Sequence, residues 1–516
     1  MADTIKKKEL SDTVYAVDIS AFSDDERYSA IALQGIVAKT NPCIYINYGG
    51  AYSKYLAEIE ESGKNVIRTD ENGEKWTYKS LVKQFFDYIG DGGYTLFSYS
   101  EYAEGLNVAT NFATAFGWLP VPQSLKESAE ECGLVLKKDL TAEKYGNAFQ
   151  RKYFRMLKDY FEKGTVVHIN YDMKGLRDLA IEQGYFCFYT LNDIPGEMLM
   201  REVLRWSGKN TSVYGWCELE KKTVKMISRM GCHINPADHS YNCSYLSLLE
   251  CDSCFNNPQA KAYTDESKHY ATLVFSDGDN CQWIQNGYGE YYSTVSNFPD
   301  AKVSWTFSPV LKSFCPPAYE SAAAAANENT CFLCGPSGFG YCNPSRFDAR
   351  SLELFSTETA SAMLKSNERV LTILDDYSEI TEGKMAWSFG YFSRFDNIDG
   401  GILYLDPGRY EAGKGKVWFS NDKPFASVRL SLWAENGYDG ATDEWIKQQA
   451  DAVNAYPVDI HSIDGYSVIC IHAWTMKPEA INKFIGMLDE HIELLSADDF
   501  ICTMKENIPH KTAMPE

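Results

Sequence analysis

The chain has 516 residues, with 49 Lys and Arg against 71 Asp and Glu, a formal net charge of −22. Hydrophobic residues make up 45% and charged residues 23%, so the chain can bury a large core and disorder is excluded as its main state. A surface this negative repels phosphate backbones and anionic headgroups, which argues against nucleic acid and membrane surfaces as partners.

Short apolar strands alternate with helical stretches throughout, the pattern of an α/β protein. At roughly 150 residues per domain the length suggests about three domains, and shifts of pattern divide it into four blocks. Residues 1–86 read as a small α/β domain, with a helix over Ser29–Lys39 and a strand over Pro42–Tyr48. Residues 87–162 read as a second small domain. Residues 163–245 read as a third, with strands Thr165–Tyr171 and Ser212–Trp216. The stretch Asp238–Asn257, rich in Asn, Ser and Cys, reads as a long connection.

Residues 246–516 carry a regular alternation of about eight strands with helices, which predicts a (β/α)-barrel-like domain. The strands expected are Tyr270–Phe275, Lys302–Phe307, Thr330–Leu333, Arg369–Leu374, Gly401–Leu405, Val428–Leu432, Tyr466–Ile471 and Glu493–Ser496. Periodicity does not separate a closed barrel from an open doubly wound sheet. In both, ligands meet the loops beyond the strands' C-terminal ends, so the residues that follow each strand carry the functional reading.

After Ala271–Phe275 comes Ser276-Asp277-Gly278-Asp279-Asn280, two carboxylates and an amide delivered by an apolar strand. Such a group can supply a general acid or base, or bind a divalent cation through hard oxygens. An Asp-Gly turn capping the next helix is the competing reading. After Leu371–Leu374 come Asp375 and Asp376, which can complement the first pair across a barrel mouth. One carboxylic acid and one carboxylate are what most glycoside hydrolysis needs. The loop Cys334–Pro344, with three Gly and two Pro, brings Gly338, Gly340, Tyr341 and Asn343 to a strand exit. His472 and Trp474 follow Ser467–Ile471, suited to orienting a substrate and stacking on it. Glu218 follows Ser212–Trp216 in the same way.

Other signals are weaker. Gly408–Lys414 has the spacing of a phosphate-binding loop, but Gly415 stands where a Ser or Thr is needed, so a plain turn is expected. Cys232, His233, His239, Cys243, Cys251 and Cys254 crowd one stretch where zinc could bind, although the spacing matches no standard zinc ribbon. Fifteen cysteines, an odd and sparse set, fit reduced thiols. The polar first ten residues hold no apolar signal core, so a cytoplasmic protein is expected, or a secreted one if a leader has been removed.

The segment Gly338-Phe339-Gly340-Tyr341-Cys342-Asn343-Pro344 resembles the signature that names the GxGYxYP glycoside hydrolase family, with Asn343 in place of the signature's second Tyr. Ser276–Asn280 followed by Gln282-Trp283 resembles the family's other recurrent segment. Leu33-Gln34-Gly35-Ile36-Val37 and Pro42–Tyr45 resemble its N-terminal block. The resemblance implies small N-terminal domains, a barrel-like C-terminal domain and a carbohydrate substrate. It carries no established mechanism to these positions.

The sequence thus points to a carbohydrate-active enzyme in which Asp277 or Asp279 and Asp375 or Asp376 share acid and base or nucleophile duty. Asn280, Gly338, Gly340, Tyr341, Asn343, His472, Trp474 and Glu218 are its candidate substrate contacts. No cofactor is required by this reading, although a divalent cation near Asp277 and Asp279 fits the residues. A metal-dependent hydrolase of phosphate or acyl groups and a non-catalytic glycan-binding protein are the alternatives.

Overall fold

A computed structural model describes residues 5–98, 104–191, 193–288, 298 and 301–510. Residues 1–4 of the polar N-terminus lie outside the described residues. The first sheet is parallel, in the order β2-β1-β3, from β1 (Thr13–Asp18), β2 (Ile44–Asn47) and β3 (Asn65–Ile67). The second, β5-β4-β6, uses β4 (Gly93–Phe97), β5 (Leu119–Pro122) and β6 (Val135–Asp139). The third, β10-β9-β7-β8, uses β7 (Thr165–His168), β8 (Phe186–Phe188), β9 (Ser212–Gly215) and β10 (His233–Asn235).

The helix Asp24–Ala38 ties these units together. Ser23 and Glu26 close a capping box at its start. Every residue from Tyr28 to Ala38 is buried, so this helix is enclosed rather than amphipathic. Gly35 lies against the backbone of Asp178, where a methyl group would collide at 2.6–2.9 Å. Next to it, Gln34 donates to the Asn242 side chain at 2.8 Å, and Asn242 in turn bonds both backbone groups of Ile46. The polar stretch after Asp238 is therefore partly a clamp between units, not only a connection.

The C-terminal region is a closed parallel barrel. Its strands run in the order β12 (Val303–Phe307), β13 (Thr330–Cys334), β14 (Val370–Asp376), β15 (Gly400–Asp406), β17 (Lys423–Leu432), β18 (Tyr466–Ile471) and β11 (His269–Phe275). Leu273–Phe275 paired with Val303–Trp305 closes the ring. Alternate residues face opposite sides. Val274, Leu333, Ile402 and Val428 pack in one core, while Leu273, Phe332, Leu403 and Ile469 pack in another beneath the helices. The α/β class and the barrel-like end of the chain agree with the sequence reading, and the closure decides what periodicity left open.

Two details differ from the sequence reading. The last strand, β19 (Ile492–Leu495), is outside the ring and pairs with His269–Thr272, the half of β11 that β12 does not reach. Strand β17 begins five residues earlier than expected because it opens in a hairpin with β16 (Val417–Ser420). Asn421 and Asp422 both have positive φ, the backbone of a tight hairpin turn. Among the described residues no helix is long and apolar enough to cross a membrane. All fifteen cysteines are free thiols. Cys331 and Cys334 point to opposite sides of β13, each into a different core.

Two glycines of the loop after β13 allow close packing, and Gly340 brings the loop against the third sheet. Gly338 has φ +104 and lies against Thr359, where a methyl group would sit 2.7 Å from the side chain. Gly340 lies against the His233 ring, where a methyl group would sit 2.4 Å from the ring and also meet Asn235 at 3.0 Å. Substituting Gly340→Ala should therefore cost about 1–3 kcal/mol, the scale of overpacking a full core. Gly383→Ala, in a helix with open space around it, should be neutral or slightly stabilising. Denaturant midpoints of the two variants against the parent check this.

Candidate active site

The barrel's C-terminal ends open beneath the third sheet, and a cavity of about 320 Å³ lies between them. This is within the usual size of a small-molecule site. Larger depressions of about 740 and 780 Å³ occur elsewhere. In the first, Lys7 and Lys312 are already committed to backbone carbonyls. What distinguishes the smaller cavity is its chemistry: Asp277, Asp279 and Glu220 share it with a wall of aromatic rings.

The loop after β11 is bent by its neighbours. Gly278 packs against the backbone of Thr306 so closely that no methyl group fits. Its amide donates to the Thr306 hydroxyl at 3.0 Å, and its carbonyl accepts from Ser308 at 2.8 Å. Asp277 takes a left-handed backbone, φ 66, which Asp tolerates better than most residues. The loop is thereby pinned to β12, and both carboxyl groups are held at the cavity. The Asn280 side chain accepts from the Trp283 amide at 3.3 Å and starts a short helical turn.

Electrostatics separates the two aspartates. Burial raises the Asp277 carboxyl above its usual range, while hydrogen bonds from Ser276 and Trp474 oppose that rise. Asp279 is pushed much higher, first by burial and then by the charges of Asp277 and Glu220. Glu220 is also raised, chiefly by burial of its carboxyl, with the Tyr341 hydroxyl opposing by donating to it at 2.9 Å. The Glu220 residue as a whole is exposed, so water screens part of that effect. Carboxyl groups crowded in this way do not all ionise together at neutral pH.

The neutral walls are as defined. Burial lowers His472 to about 4, so its ring is uncharged at neutral pH. It stacks on Trp433 at 3.7 Å and bonds Thr475 at 3.1 Å. Its Nε2 lies 3.9 Å from Asp277, too far for a hydrogen bond. Trp474 packs on Trp283 at 4.3 Å. Tyr404 rises from inside the barrel and donates across it to the Phe275 carbonyl at 3.3 Å. Tyr410 lies between Tyr404 and Trp433, each 5.2 Å away.

The residues singled out in the sequence divide into three groups. Asp277, Asp279, Asn280, Tyr341, His472 and Trp474 line the cavity. Asp376 and Asn343 line an adjoining space of about 190 Å³. There burial opposes the charge of Asp376, but hydrogen bonds from Ser378 and from Lys225 at 3.1 Å hold its carboxyl below the usual range, and Arg346 pairs with it at 3.3 Å. Asp375, Gly338, Gly340 and Glu218 line neither space. Asp375 is fully buried and accepts the amides of Ser345 at 3.1 Å and Asp376 at 2.9 Å, so its carboxyl organises the loop. The two glycines serve close packing, as described above. Glu218 is exposed and accepts from Tyr189.

Glu220, Trp216, Tyr404, Tyr410 and Trp433 were not singled out. Glu220 is two residues beyond Glu218, at the first position of the helix Glu220–Arg229, and only the start of that helix decides which glutamate turns inward. Tyr410 belongs to the segment read as a plain Gly/Lys turn, and Trp433 directly follows β17. Among the described residues no three His, Cys, Asp or Glu side chains are grouped closely enough to hold a metal ion. This covers both the Cys232–Cys254 stretch and the Asp277/Asp279 loop.

Residues 267–505 match the family described as "GxGYxYP putative glycoside hydrolase C-terminal domain", and residues 164–248 match the "GxGYxYP third domain". A solved structure, "a putative hydrolase from Bacteroides thetaiotaomicron VPI-5482", is similar in fold with a TM-score of 0.86. It is 23% identical over 98% of this chain and 97% of its own. No curated protein matches the chain.

The raised Asp279 carboxyl makes a stability prediction with a definite sign. A carboxyl whose pKa is higher in the folded state than in the unfolded chain adds stability below its unfolded pKa of about 4 and loses it as pH rises through the folded value. Asp279→Asn removes that loss. The variant should therefore melt above the parent at neutral pH, with the difference shrinking as pH is lowered toward about 4. Thermal unfolding of both proteins from acid to neutral pH checks this. A variant that melts lower at every pH would mean that the carboxylate is structural.

Proposed function

Because this chain belongs to the GxGYxYP family, we propose that it is a glycoside hydrolase and that the barrel-mouth cavity is its active site. The observation that carries the proposal is the meeting of Asp277, Asp279 and Glu220 in one aromatic-walled cavity. Cleavage of a glycosidic bond needs one carboxylic acid to protonate the leaving oxygen and one carboxylate facing the anomeric carbon. Environments that push neighbouring carboxyl pKa values apart supply both forms at one pH.

In this reading Asp277 is the carboxylate. Ser276 and Trp474 donate to it, which favours its charged form. It stabilises positive charge developing at the anomeric carbon, by direct attack or by activating water. Asp279 stays protonated beside it and hydrogen-bonds a sugar hydroxyl. The rings of Trp216, Trp433 and Trp474 offer apolar faces to the sugar, with Asn280 and Tyr341 as polar contacts. The second carboxylate assigned from sequence to Asp375 or Asp376 passes in this proposal to Glu220. Asp375 spends its oxygens on backbone amides, and Asp376 is neutralised by two cations. No step in this scheme calls for a cofactor.

The test is a turnover screen against a broad panel of glycosides. The parent should hydrolyse at least one class, and addition of a chelator should leave the rate unchanged. Asp277→Asn should lower kcat/KM on that substrate by about a hundredfold or more, the scale of a positioned acid, base or nucleophile. Chelator-sensitive cleavage of phosphate or acyl esters would overturn the glycosidase reading in favour of a metal-dependent hydrolase. Glycan binding without turnover would indicate a binding protein.

A further inference from the structure

The cavity of about 320 Å³ does not stand alone. The adjoining space of about 190 Å³ lies on its other side, and Glu220, Tyr341, Leu374, Tyr410 and Trp433 line both. The far wall of the smaller space is polar and differently built. Lys221 pairs there with Asp406 at 2.6 Å, and Asn343 donates its amide to the Leu374 carbonyl at 3.3 Å. Asp277 and Asp279 line only the larger cavity, and Asp376 and Asp406 line only the smaller. Of these five carboxyl groups Glu220 is the one common to both.

A glycosidic bond cut by an enzyme lies across such a boundary, with the sugar that reacts on one side and the leaving group on the other. The acid must reach the bridging oxygen, so it belongs on the shared wall. Resting on the glycoside hydrolase reading above, we propose that the smaller space is the leaving-group subsite, taking one neutral sugar unit, and that Glu220 is the general acid. The third domain then contributes a catalytic residue to a barrel that holds the cavity's two aspartates.

In the step itself the bond from the anomeric carbon to the bridging oxygen breaks, and its electron pair stays on that oxygen. The Glu220 proton passes to it, and the leaving sugar departs as an alcohol. The anomeric carbon gains the oxygen of a water molecule, directly or after attack by Asp277. The remaining water proton restores the carboxylic acid, so the reaction consumes one water and leaves the protein unchanged. The Tyr341 hydrogen bond at 2.9 Å orients the carboxyl toward the boundary, and burial raises its affinity for the proton.

Leaving-group dependence separates an acid from the other carboxyl groups. The probes are aryl glycosides with nitrophenyl and dinitrophenyl leaving groups, and disaccharides of the same sugar. Dinitrophenolate departs without protonation, whereas an alcohol does not. Glu220→Gln should therefore lose about a hundredfold or more on disaccharides and keep most of its rate on dinitrophenyl glycosides. Asp277→Asn should lose comparably on all of them. Disaccharide cleavage by Tyr341→Phe should fall less than by Glu220→Gln, with its pH optimum displaced. Gln keeps the shape of the Glu220 side chain and still accepts from Tyr341, and it removes a carboxyl that burial disfavours as an anion, so Glu220→Gln should melt no lower than the parent.

Equal losses across leaving groups in Glu220→Gln, with a normal melting temperature, would overturn the assignment while leaving the hydrolase reading intact. The leaving-group pattern in Asp279→Asn instead would transfer the role to Asp279. A parent inactive on every glycoside would bring down the hydrolase reading and this assignment with it.

Discussion

Two backbone hydrogen bonds hold this site together. The amide of Ile234 donates to the Tyr341 carbonyl at 2.9 Å, and the amide of Tyr341 donates to the Ile234 carbonyl at 2.8 Å. They stitch the edge strand of the third sheet to the loop leaving the barrel, as one antiparallel rung. Gly340 permits that approach because any side chain there would collide with the His233 ring. Further along, the Asn343 amide donates to Ser228 at 2.9 Å, anchoring the loop to the helix that begins at Glu220. The barrel loop and that helix are thus fixed relative to each other before any ligand enters. Positioned acids and bases depend on such rigidity in their supporting shell.

The rung also explains why the site draws on two domains. A barrel alone offers its mouth to solvent, where carboxyl groups ionise at ordinary pH. Here the third domain covers part of that mouth, and burial raises Asp277, Asp279 and Glu220 together. The small domains in turn are braced against one another by the buried helix Asp24–Ala38, by Gly35 against Asp178 and by Gln34 with Asn242. A cluster of partly desolvated acids costs stability, and the enclosed cores around it offset that cost.

The crowding of acids has a purpose consistent with the proposed chemistry. A transition state with oxocarbenium character carries positive charge, and a cavity lined by carboxylates and aromatic faces stabilises it. The net charge of −22 adds in the same direction, although most of it is spread over solvated surface. The cations near the mouth are committed elsewhere: Lys221 to Asp406, Arg409 to Glu435 and the Trp433 carbonyl. Lys221 only partly offsets the rise of Glu220, which burial dominates.

Much of this was legible in the residues themselves. The alternation of strands and helices specified an α/β protein with a barrel-like end, because side-chain periodicity reports which faces are buried. The rule that ligands meet strand C-termini led to Asp277, Asp279, Tyr341, His472 and Trp474, each within a few residues of a strand end. What the chain could not disclose locally was which groups converge. Asp375 and Asp376 are neighbours in sequence, yet one turns inward onto backbone amides and the other outward onto cations. Glu218 and Glu220 are two residues apart, and the start of one helix separates solvent from cavity. The signature glycines marked the right loop but serve packing rather than ligand contact. Closure of the ring was decided by a three-residue pairing between β11 and β12. Composition and period determine which elements form. Only the tertiary structure decides which strand ends face one another, because that depends on long-range hydrogen bonds and steric fit between segments more than a hundred residues apart, such as Ile234 and Tyr341.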